Sequence, residues 1–187
     1  MGRNTKEGDV VKKIGLLSGF LAALSLVGCT GVPSGLEPVT GFELDRYLGK
    51  WYEIARLDHS FERNMSNVSA HYSPKEGGGI LVVNRGFDEK SGKWKEIEGR
   101  GYFVGEENVG SLKVSFFGPF YGGYHVIALD RENYHYSMVS GPKRSYLWIL
   151  SRDRRLDQKV LSDLVSKAQS WGFETEKLIY VKHDRAH

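Results

Sequence analysis

The sequence predicts an all-β domain: an eight-stranded up-and-down antiparallel β-barrel with one C-terminal α-helix packed on its wall. Short runs rich in β-branched and aromatic residues recur from Trp51 onward, separated by glycine-rich turns. Near residue 156 the spacing of the apolar residues changes from that of strands to that of a helix. Ten tyrosines, nine phenylalanines and four tryptophans supply large side chains for a barrel core.

Eight strands are predicted, and turn clusters such as residues 75–79 and 141–143 separate them. Consecutive short strands joined by turns form a meander, and a meander of eight strands closes naturally into a barrel. The predicted ranges are 51–58, 67–74, 80–88, 94–104, 111–117, 123–130, 134–140 and 145–152.

One amphipathic helix is predicted over residues 156–171. Its apolar residues fall on one stripe, and Gly172 stands where a helix C-cap belongs. A ninth short strand is predicted over 177–181, after the helix. A single helical turn is predicted over 42–48, before the first barrel strand.

Residues 1–28 are predicted to be a lipoprotein signal peptide. Four Lys or Arg side chains precede an uncharged, apolar stretch of fourteen residues, 14–27. A helix rises about 1.5 Å per residue, so this stretch reaches only about 21 Å across a hydrocarbon core about 30 Å thick. The layout is therefore typical of an export signal rather than of a transmembrane anchor.

The run Leu26-Val27-Gly28-Cys29 resembles the bacterial lipobox, in which the cysteine is acylated and becomes the first residue of the mature protein. Cys29 is the only cysteine in the chain, and several acyl chains hold a protein firmly at a bilayer. The alternative is an ordinary cleaved signal followed by an unmodified cysteine. Under the enterobacterial sorting rule, Thr30 after the cysteine implies the outer membrane, and we expect the domain to face the periplasm.

Residues 29–41 are predicted to be the lipidated N-terminus and a tether, and residues 42–187 the folded domain. The tether prediction rests on two prolines and three glycines in a segment with few apolar residues. Removing the signal leaves 22 of the 26 basic residues and 21 of the 23 acidic ones. This near-neutral charge argues against nucleic acid as a partner, because binding it requires a basic surface.

Three short motifs resemble those of the lipocalin family. Gly49-Lys50-Trp51 follows a predicted helical turn, Leu129-Asp130-Arg131 lies at the turn after the sixth strand, and Arg152 ends the eighth. Longer stretches, among them 47–56 and 112–124, are similar to the bacterial outer-membrane lipocalins in particular. The second motif reads Leu-Asp-Arg where many animal members have Thr-Asp-Tyr, a change that the bacterial members share.

The resemblance implies structural roles for the motif residues. Trp51 is expected to close one end of the barrel, with the guanidinium of Arg152 across its indole. The residues assigned to this structural motif are Gly49, Trp51, Asp130 and Arg152.

Strand alternation and the register of the family together predict which side chains point into the barrel. Taking Trp51 as inward fixes its neighbours at two-residue steps. Most of the predicted inward residues are apolar or aromatic, and the alanines among them leave space, so a cavity for an apolar ligand is expected. The predicted ligand-binding residues are Ala55, Val68, Ala70, Tyr72, Val82, Asn84, Val114, Phe116, Tyr124, Val126, Tyr146 and Trp148.

The predicted ligand is a lysophospholipid or a fatty acid. Burying about ten methylenes at about 0.8 kcal/mol each gives about 8 kcal/mol, which corresponds to micromolar affinity before ordering costs. Arg63, Lys143 and Arg144 are expected at the open end near Glu62, either as a site for an anionic headgroup or as ordinary solvated charges. The resemblance favours a lysophospholipid and a storage or transport role in envelope maintenance under stress.

No catalytic residues, metal site or cofactor are predicted. The chain lacks G-x-S-x-G and H-E-x-x-H motifs, and the glycine-rich run 118–123 leads into a strand rather than into the helix N-terminus of a phosphate loop. Two alternatives from other classes stay open: a lipid-modifying enzyme on the same fold, and a structural envelope lipoprotein with a filled barrel. The oligomeric state is also open, with a homodimer among the alternatives.

Overall fold

The computed structural model describes Met1 and residues 30–185. Apart from Met1, the predicted signal peptide and the predicted lipidation site, Cys29, lie outside the described residues. Within the described part of the chain, no helix has the length and apolar character needed to cross a membrane. The elements are α1 (Leu44–Tyr47), β1 (Gly49–Arg56), β2 (Met65–Pro74), β3 (Ile80–Asp88), β4 (Lys93–Phe103), β5 (Ser111–Ser115), β6 (Gly122–Leu129), β7 (Tyr136–Ser140), β8 (Leu147–Ser151), α2 (Gln158–Ser170) and β9 (Ile179–Tyr180).

Strands β1 to β8 form a closed antiparallel barrel. Each strand pairs with the next, and β1 pairs with both β2 and β8, so the sheet closes on itself. The short β9 lies beside the last two residues of β1, beyond the point where β1 pairs with β2. The predicted eight-stranded up-and-down barrel with one C-terminal helix is confirmed.

Three β-bulges interrupt the regular register of the barrel. A bulge adds one residue to one strand, so the side chains beyond it exchange faces. The bulges lie between Glu53 and Ala55 in β1, between Ser66 and Ser69 in β2, and between Val126 and Ala128 in β6.

The bulge in β1 overturns one predicted cavity residue. Glu53 pairs with Leu150, but Ala55 pairs with Ile149 and Arg56 with Trp148. Ala55 therefore lies on the outer face, where it packs in the cluster beneath α2, and Arg56 points inward. The prediction that Ala55 lines the cavity is wrong because simple alternation does not continue past the bulge.

Two hydrophobic clusters stabilise the fold. The inner cluster fills the closed half of the barrel, and its largest fully buried side chain is Trp51. The outer cluster joins the barrel wall to α2. It is formed by buried residues that include Ile54, Ala55, Met138, Ile149, Leu161, Leu164 and Ala168.

Helix α2 lies within the predicted range and has defined ends. One carboxylate oxygen of Asp157 accepts hydrogen bonds from the N–H groups of Lys159 and Val160 at 2.9 and 3.1 Å, which caps the N-terminus. Gly172 has φ of 80°, and its N–H donates to the carbonyl of Gln169 at 2.9 Å. Gly172 thus ends the helix in the left-handed conformation that favours glycine.

Residues 30–41, predicted as a tether, lie against the barrel. Leu36 is buried in the outer cluster. The N–H of Val39 donates to the carbonyl of Val126, and the carbonyl of Val39 accepts from the N–H of Gly110, both at 2.8 Å. The segment is therefore part of the folded domain, because Leu36 and Val39 supply anchors that the proline and glycine content concealed.

Candidate functional site

Trp51 and Arg152 seal the closed end of the barrel. Trp51 is fully buried, and its Nε1 donates to the carbonyl of Tyr47 at 2.8 Å. The guanidinium carbon of Arg152 lies 3.9 Å from the centre of the Trp51 ring, a cation–π contact. The same guanidinium donates hydrogen bonds of 2.7 to 3.1 Å to the carbonyl oxygens of Arg46, Leu48, Lys50 and Tyr134.

Gly49 and Asp130 shape the backbone around this seal. Gly49 has φ of 92°, a left-handed conformation that favours glycine. The carboxylate of Asp130 accepts hydrogen bonds of 3.2 to 3.3 Å from the N–H groups of Glu132, Asn133 and His135, which holds the turn between β6 and β7. Both residues act on backbone conformation rather than on the barrel interior.

Four hydroxyl groups form a hydrogen-bonded cluster on the barrel floor, above the seal. The Tyr47 hydroxyl lies 2.8 Å from that of Tyr124 and 3.1 Å from that of Ser137, and Tyr124 lies 2.9 Å from Tyr72. Burial raises the pKa of Tyr47 to about 12 and raises the pKa of Tyr72 and Tyr124 well above their usual range. The floor is therefore a neutral, self-satisfied polar layer.

Sequence reasoning missed Tyr47 in this layer. The available signal was its position four residues before Trp51, since α1 brings the Tyr47 ring within 4.7 Å of the Trp51 ring. Tyr72 and Tyr124, expected among the ligand-binding residues, contribute their hydroxyls to the floor as well as their rings.

The lower half of the barrel is nearly filled. A cavity of about 10 Å³ lies beside the tyrosines, room for about one water molecule. Among the predicted ligand-binding residues, Tyr72 is 7% exposed, Val82 3% and Val126 0%. These three side chains pack in the floor and in the wall beneath the open half.

The upper half of the barrel is an open cup. An inward side chain can reach water only when there is space above it, and most of the inward residues here keep partial exposure. The partly exposed ones are Ala70, Asn84, Val114, Phe116, Tyr124, Tyr146 and Trp148. Val68 is buried in the wall of the cup, beside Gly86.

Strand β4 contributes a part of the cup that sequence reasoning missed. Gly99 pairs with Val82, and a side chain at Gly99 would collide with the ring of Phe116. Ile97, paired with the inward Asn84, is 37% exposed. Glycine at this inward position lets the ring of Phe116 lie directly against β4, a contact that no hydrophobic pattern reveals.

A buried charged cluster lies on the β1 side of the cup. Arg56 Nη1 donates to Glu53 Oε1 at 2.6 Å, and Arg56 Nη2 donates to the carbonyl of Glu62 at 2.8 Å. Glu62 Oε2 accepts a hydrogen bond of 3.1 Å from Trp148 Nε1 and lies 3.4 Å from His59 Nε2. The cluster ties the loop after β1 to Trp148 on the neighbouring strand β8.

Burial sets the protonation of this cluster. It raises the pKa of Glu53 well above its usual range, with repulsion from Glu62 adding to the effect and Arg56 opposing it. Burial also raises the pKa of Glu62 and lowers the pKa of His59 to about 4. His59 is therefore neutral at physiological pH. Within residues 30–185, no group of three or more His, Cys, Asp or Glu side chains is placed to hold a metal ion.

The basic residues predicted at the open end do not form a shared cationic site. Arg63 pairs with Asp58 at 2.7 Å, both exposed. Arg144 donates to the carbonyl of Trp171 at 2.6 Å, on the outside of the barrel, while Lys143 is exposed. The expected headgroup site composed of these three residues is therefore not assembled.

Comparison with known proteins identifies the family. The lipocalin-like domain matches residues 42–183. "Outer membrane lipoprotein Blc" of Vibrio cholerae is 54% identical over 163 residues, which cover 87% of this chain and 95% of the relative. The protein of the same name from Escherichia coli K12 is 47% identical over 169 residues, with 89% and 95% covered. In fold, the chain is similar to insecticyanin of the tobacco hornworm Manduca sexta, with a TM-score of 0.65 at 24% identity, over 82% of this chain and 87% of that one.

These findings agree with the geometry of the barrel. Both bacterial relatives are named as outer-membrane lipoproteins, which supports the predicted lipid-anchored location of this chain at a bacterial outer membrane. Lipocalins bind lipids and other small hydrophobic molecules rather than catalyse reactions, and an open apolar cup above a sealed floor suits such binding. The chain belongs to the lipocalin family.

Proposed function

We propose that this lipocalin binds lysophospholipids and fatty acids in the cup, facing the periplasm, and stores or transports them to maintain the envelope under stress. The contrast between the two halves of the barrel carries the proposal. The lower half is packed around Trp51, whereas apolar side chains of the upper half, such as Val114 and Phe116, remain accessible. A filled structural barrel would bury both sets alike.

An acyl chain suits the cup because it gains free energy along its whole length. Each methylene removed from water contributes about 0.8 kcal/mol. The small, partly exposed side chain of Ala70 leaves space for the chain along the β2 wall. The end of the chain would meet the tyrosine floor, where the hydroxyls already hydrogen-bond to one another, so no hydroxyl would lose a partner.

Asn84 gives a reason to include lysophospholipids beside fatty acids. Its Oδ1 atom is buried and has no hydrogen-bond partner among residues 30–185. A glycerol hydroxyl is a donor that can satisfy this oxygen, whereas an ionised carboxylate offers only acceptors. Leaving a buried acceptor unsatisfied costs about 1–3 kcal/mol. A lysophospholipid that donates its hydroxyl to Asn84 would therefore bind more tightly than a fatty acid.

Titration of the protein without its lipid anchor tests the proposal. Both hydrophobic clusters lie within residues 30–185, so a protein of residues 30–187 keeps its core. After solvent stripping, a fluorescent fatty acid and a fluorescent lysophospholipid are titrated while Trp148 fluorescence is followed, with Trp148→Phe as reference. Saturable quenching at micromolar ligand is expected. Absence of saturable quenching with either ligand refutes the proposal, and chemical change of the recovered ligand favours an enzyme.

Two tryptophan substitutions on neighbouring residues locate the ligand. Ala70 points into the cup, whereas His71 is exposed on the outer face of β2. Ala70→Trp is expected to weaken binding at least tenfold without unfolding the barrel, because an indole would occupy the cup. His71→Trp should keep the affinity of the unmodified protein. Equal affinities of the two variants would show that the ligand lies elsewhere.

Complementation tests the physiological part of the proposal. A strain lacking this protein is grown under envelope stress, with the unmodified gene or the Ala70→Trp variant supplied in trans. Rescue by the unmodified gene alone is expected, and equal rescue by both separates the stress role from lipid binding. Light scattering on the same purified proteins establishes whether a homodimer forms.

A further inference from the structure

Three phenylalanines at the open end of the barrel expose most of their side chains. Phe61, in the loop between β1 and β2, is 61% exposed. Phe117 and Phe120, in the loop between β5 and β6, are 73% and 69% exposed. In an up-and-down barrel these two loops lie at the same end, on opposite sides of the mouth. Large apolar side chains grouped in this way mark an interaction surface.

Packing beneath Phe61 fixes it in this outward position. Its ring stacks on His59 with centroids 4.3 Å apart, and His59 stacks in turn on Tyr146 at 5.7 Å. The space on the barrel side of Phe61 is therefore already filled by rings. Phe61 cannot turn inward without displacing this stack.

The N-terminus of the folded domain lies at the same end. The carbonyl of Gly31 accepts a hydrogen bond of 3.1 Å from His125 Nε2, near the start of β6. A side chain at Gly123 would meet the carbonyl oxygen of Thr30, and Gly123 is the second residue of β6, beside the loop that carries Phe120. Arg144, in the loop between β7 and β8, donates to the carbonyl of Ser34 at 2.7 Å.

The predicted anchor must therefore leave the protein beside the mouth. Cys29 is bonded to Thr30, and consecutive Cα atoms lie about 3.8 Å apart. Thr30, the residue that follows the predicted lipidation site, lies against Gly123 near the start of β6. The anchor and the exposed phenylalanines thus meet the membrane from the same side of the barrel.

We propose that the open end of the barrel docks on the phospholipid surface that holds the anchor, with Phe61, Phe117 and Phe120 inserted at the level of the headgroups. Phenylalanine is among the apolar residues that membrane-surface segments bury at the boundary between headgroups and acyl chains. Lys90, exposed in the loop between β3 and β4 at the same end, suits the phosphate groups of the lipid surface. The cup then opens directly onto the leaflet, and lipid passes into it without crossing water. The inference uses the predicted lipid anchor and does not depend on which ligand the cup binds.

Depth-dependent fluorescence quenching on the lipidated protein tests the docking. Acylation consumes the thiol of Cys29, the only cysteine, so a cysteine introduced elsewhere can be labelled alone. Lys143→Cys reports on the open end, and Glu76→Cys, in the turn between β2 and β3, reports on the closed end. The labelled proteins are reconstituted in vesicles of phosphatidylethanolamine and phosphatidylglycerol. Nitroxide-labelled lipid is expected to quench the probe at 143 several-fold more than the probe at 76. Equal quenching, or stronger quenching at 76, would overturn the proposal.

A triple variant separates the phenylalanines from the anchor. Phe61→Gln, Phe117→Gln and Phe120→Gln together are expected to reduce quenching of the 143 probe at least about threefold, because most of the insertable apolar surface is lost. The control is Val104→Gln, which replaces an exposed apolar residue after β4 at the closed end. It should leave quenching of the 143 probe unchanged. Unchanged quenching in the triple variant would show that the anchor alone orients the barrel.

Two further readouts keep the outcomes distinct. The three phenylalanines are mostly exposed and only the stack of Phe61 on His59 is lost, so the melting temperature of the triple variant should fall by no more than a few degrees. Ligand titration in solution should be unchanged, so lost docking with retained binding distinguishes this inference from the proposed function. A 143 probe that is shielded from a soluble quencher but not reached by nitroxide lipid would identify a second copy of the chain on this surface, and would overturn membrane docking.

Discussion

Replacing Arg152 by methionine is expected to lower the free energy of unfolding by about 2–4 kcal/mol. Methionine keeps much of the length of the side chain but removes four hydrogen bonds to carbonyl oxygens and the contact with Trp51. Buried hydrogen bonds from a charged donor contribute about 1.5–3 kcal/mol each. Arg152 is only partly buried, so in the variant water can hydrogen-bond to the freed carbonyl oxygens and recover much of this free energy. Loss of the cation–π contact adds about 0.5–1 kcal/mol.

Urea unfolding of residues 30–187, followed by circular dichroism, measures this loss. For a domain of this size the loss corresponds to a melting temperature lower by about 5–15 °C. Arg155→Met, at an exposed position three residues away, is the control and should change stability by no more than about 0.5 kcal/mol. Arg152→Lys should restore less than half of the loss, since an ammonium lacks the planar fork of donors. A value for Arg152→Met equal to that of the control would refute the reasoning.

Three further substitutions test the charged cluster and the helix. Arg56→Met should cost about 3–5 kcal/mol because it leaves the buried carboxyl of Glu53 without its cation; adding Glu53→Gln should recover part of this loss, and no recovery would contradict the pairing. Burial lowers the pKa of His59 from 6.5 to about 4, so between these values the unfolded state binds the additional proton and stability falls as pH falls. Urea titrations at pH 7 and pH 4.5 measure how far the free energy of unfolding falls between these pH values. The fall should be about 1–3 kcal/mol smaller for His59→Phe than for the unmodified protein; equal falls in the two proteins would contradict this. Asp157→Ala should cost about 1 kcal/mol through the lost helix cap, and Asp163→Ala, exposed on the same helix, is its control in thermal unfolding.

The positions of the strands could be predicted from the sequence because the period of the side chains is a local property. The predicted third strand coincides with β3 at both ends, and the predicted helix contains α2 with one or two residues to spare at either end. Register was predictable only as far as the first irregularity. Ala55 was assigned to the wrong face because nothing in the local pattern marks the bulge before it.

The polar parts of the site could not be predicted, because they join residues far apart in the chain. Tyr47 and Tyr124 are 77 positions apart, and Glu62 and Trp148 are 86 apart. Such pairs meet only when the barrel closes, and their hydrogen bonds carry no sequence period. The strand register predicts Tyr72 and Tyr124 as cavity residues. Their shared role in the floor depends on Tyr47, whose hydroxyl hydrogen-bonds to that of Tyr124.

The bulge in β1 links the stability of the barrel to the shape of its mouth. By turning Ala55 outward, it places a small side chain under α2, where the outer cluster is packed. By turning Arg56 inward, it supplies the cation that holds Glu53 and the backbone of the following loop. That loop carries His59, and the ring of Phe61 stacks on the ring of His59. A single additional residue therefore determines both how the helix closes the wall and how the loop is held at the open end, where lipid must enter.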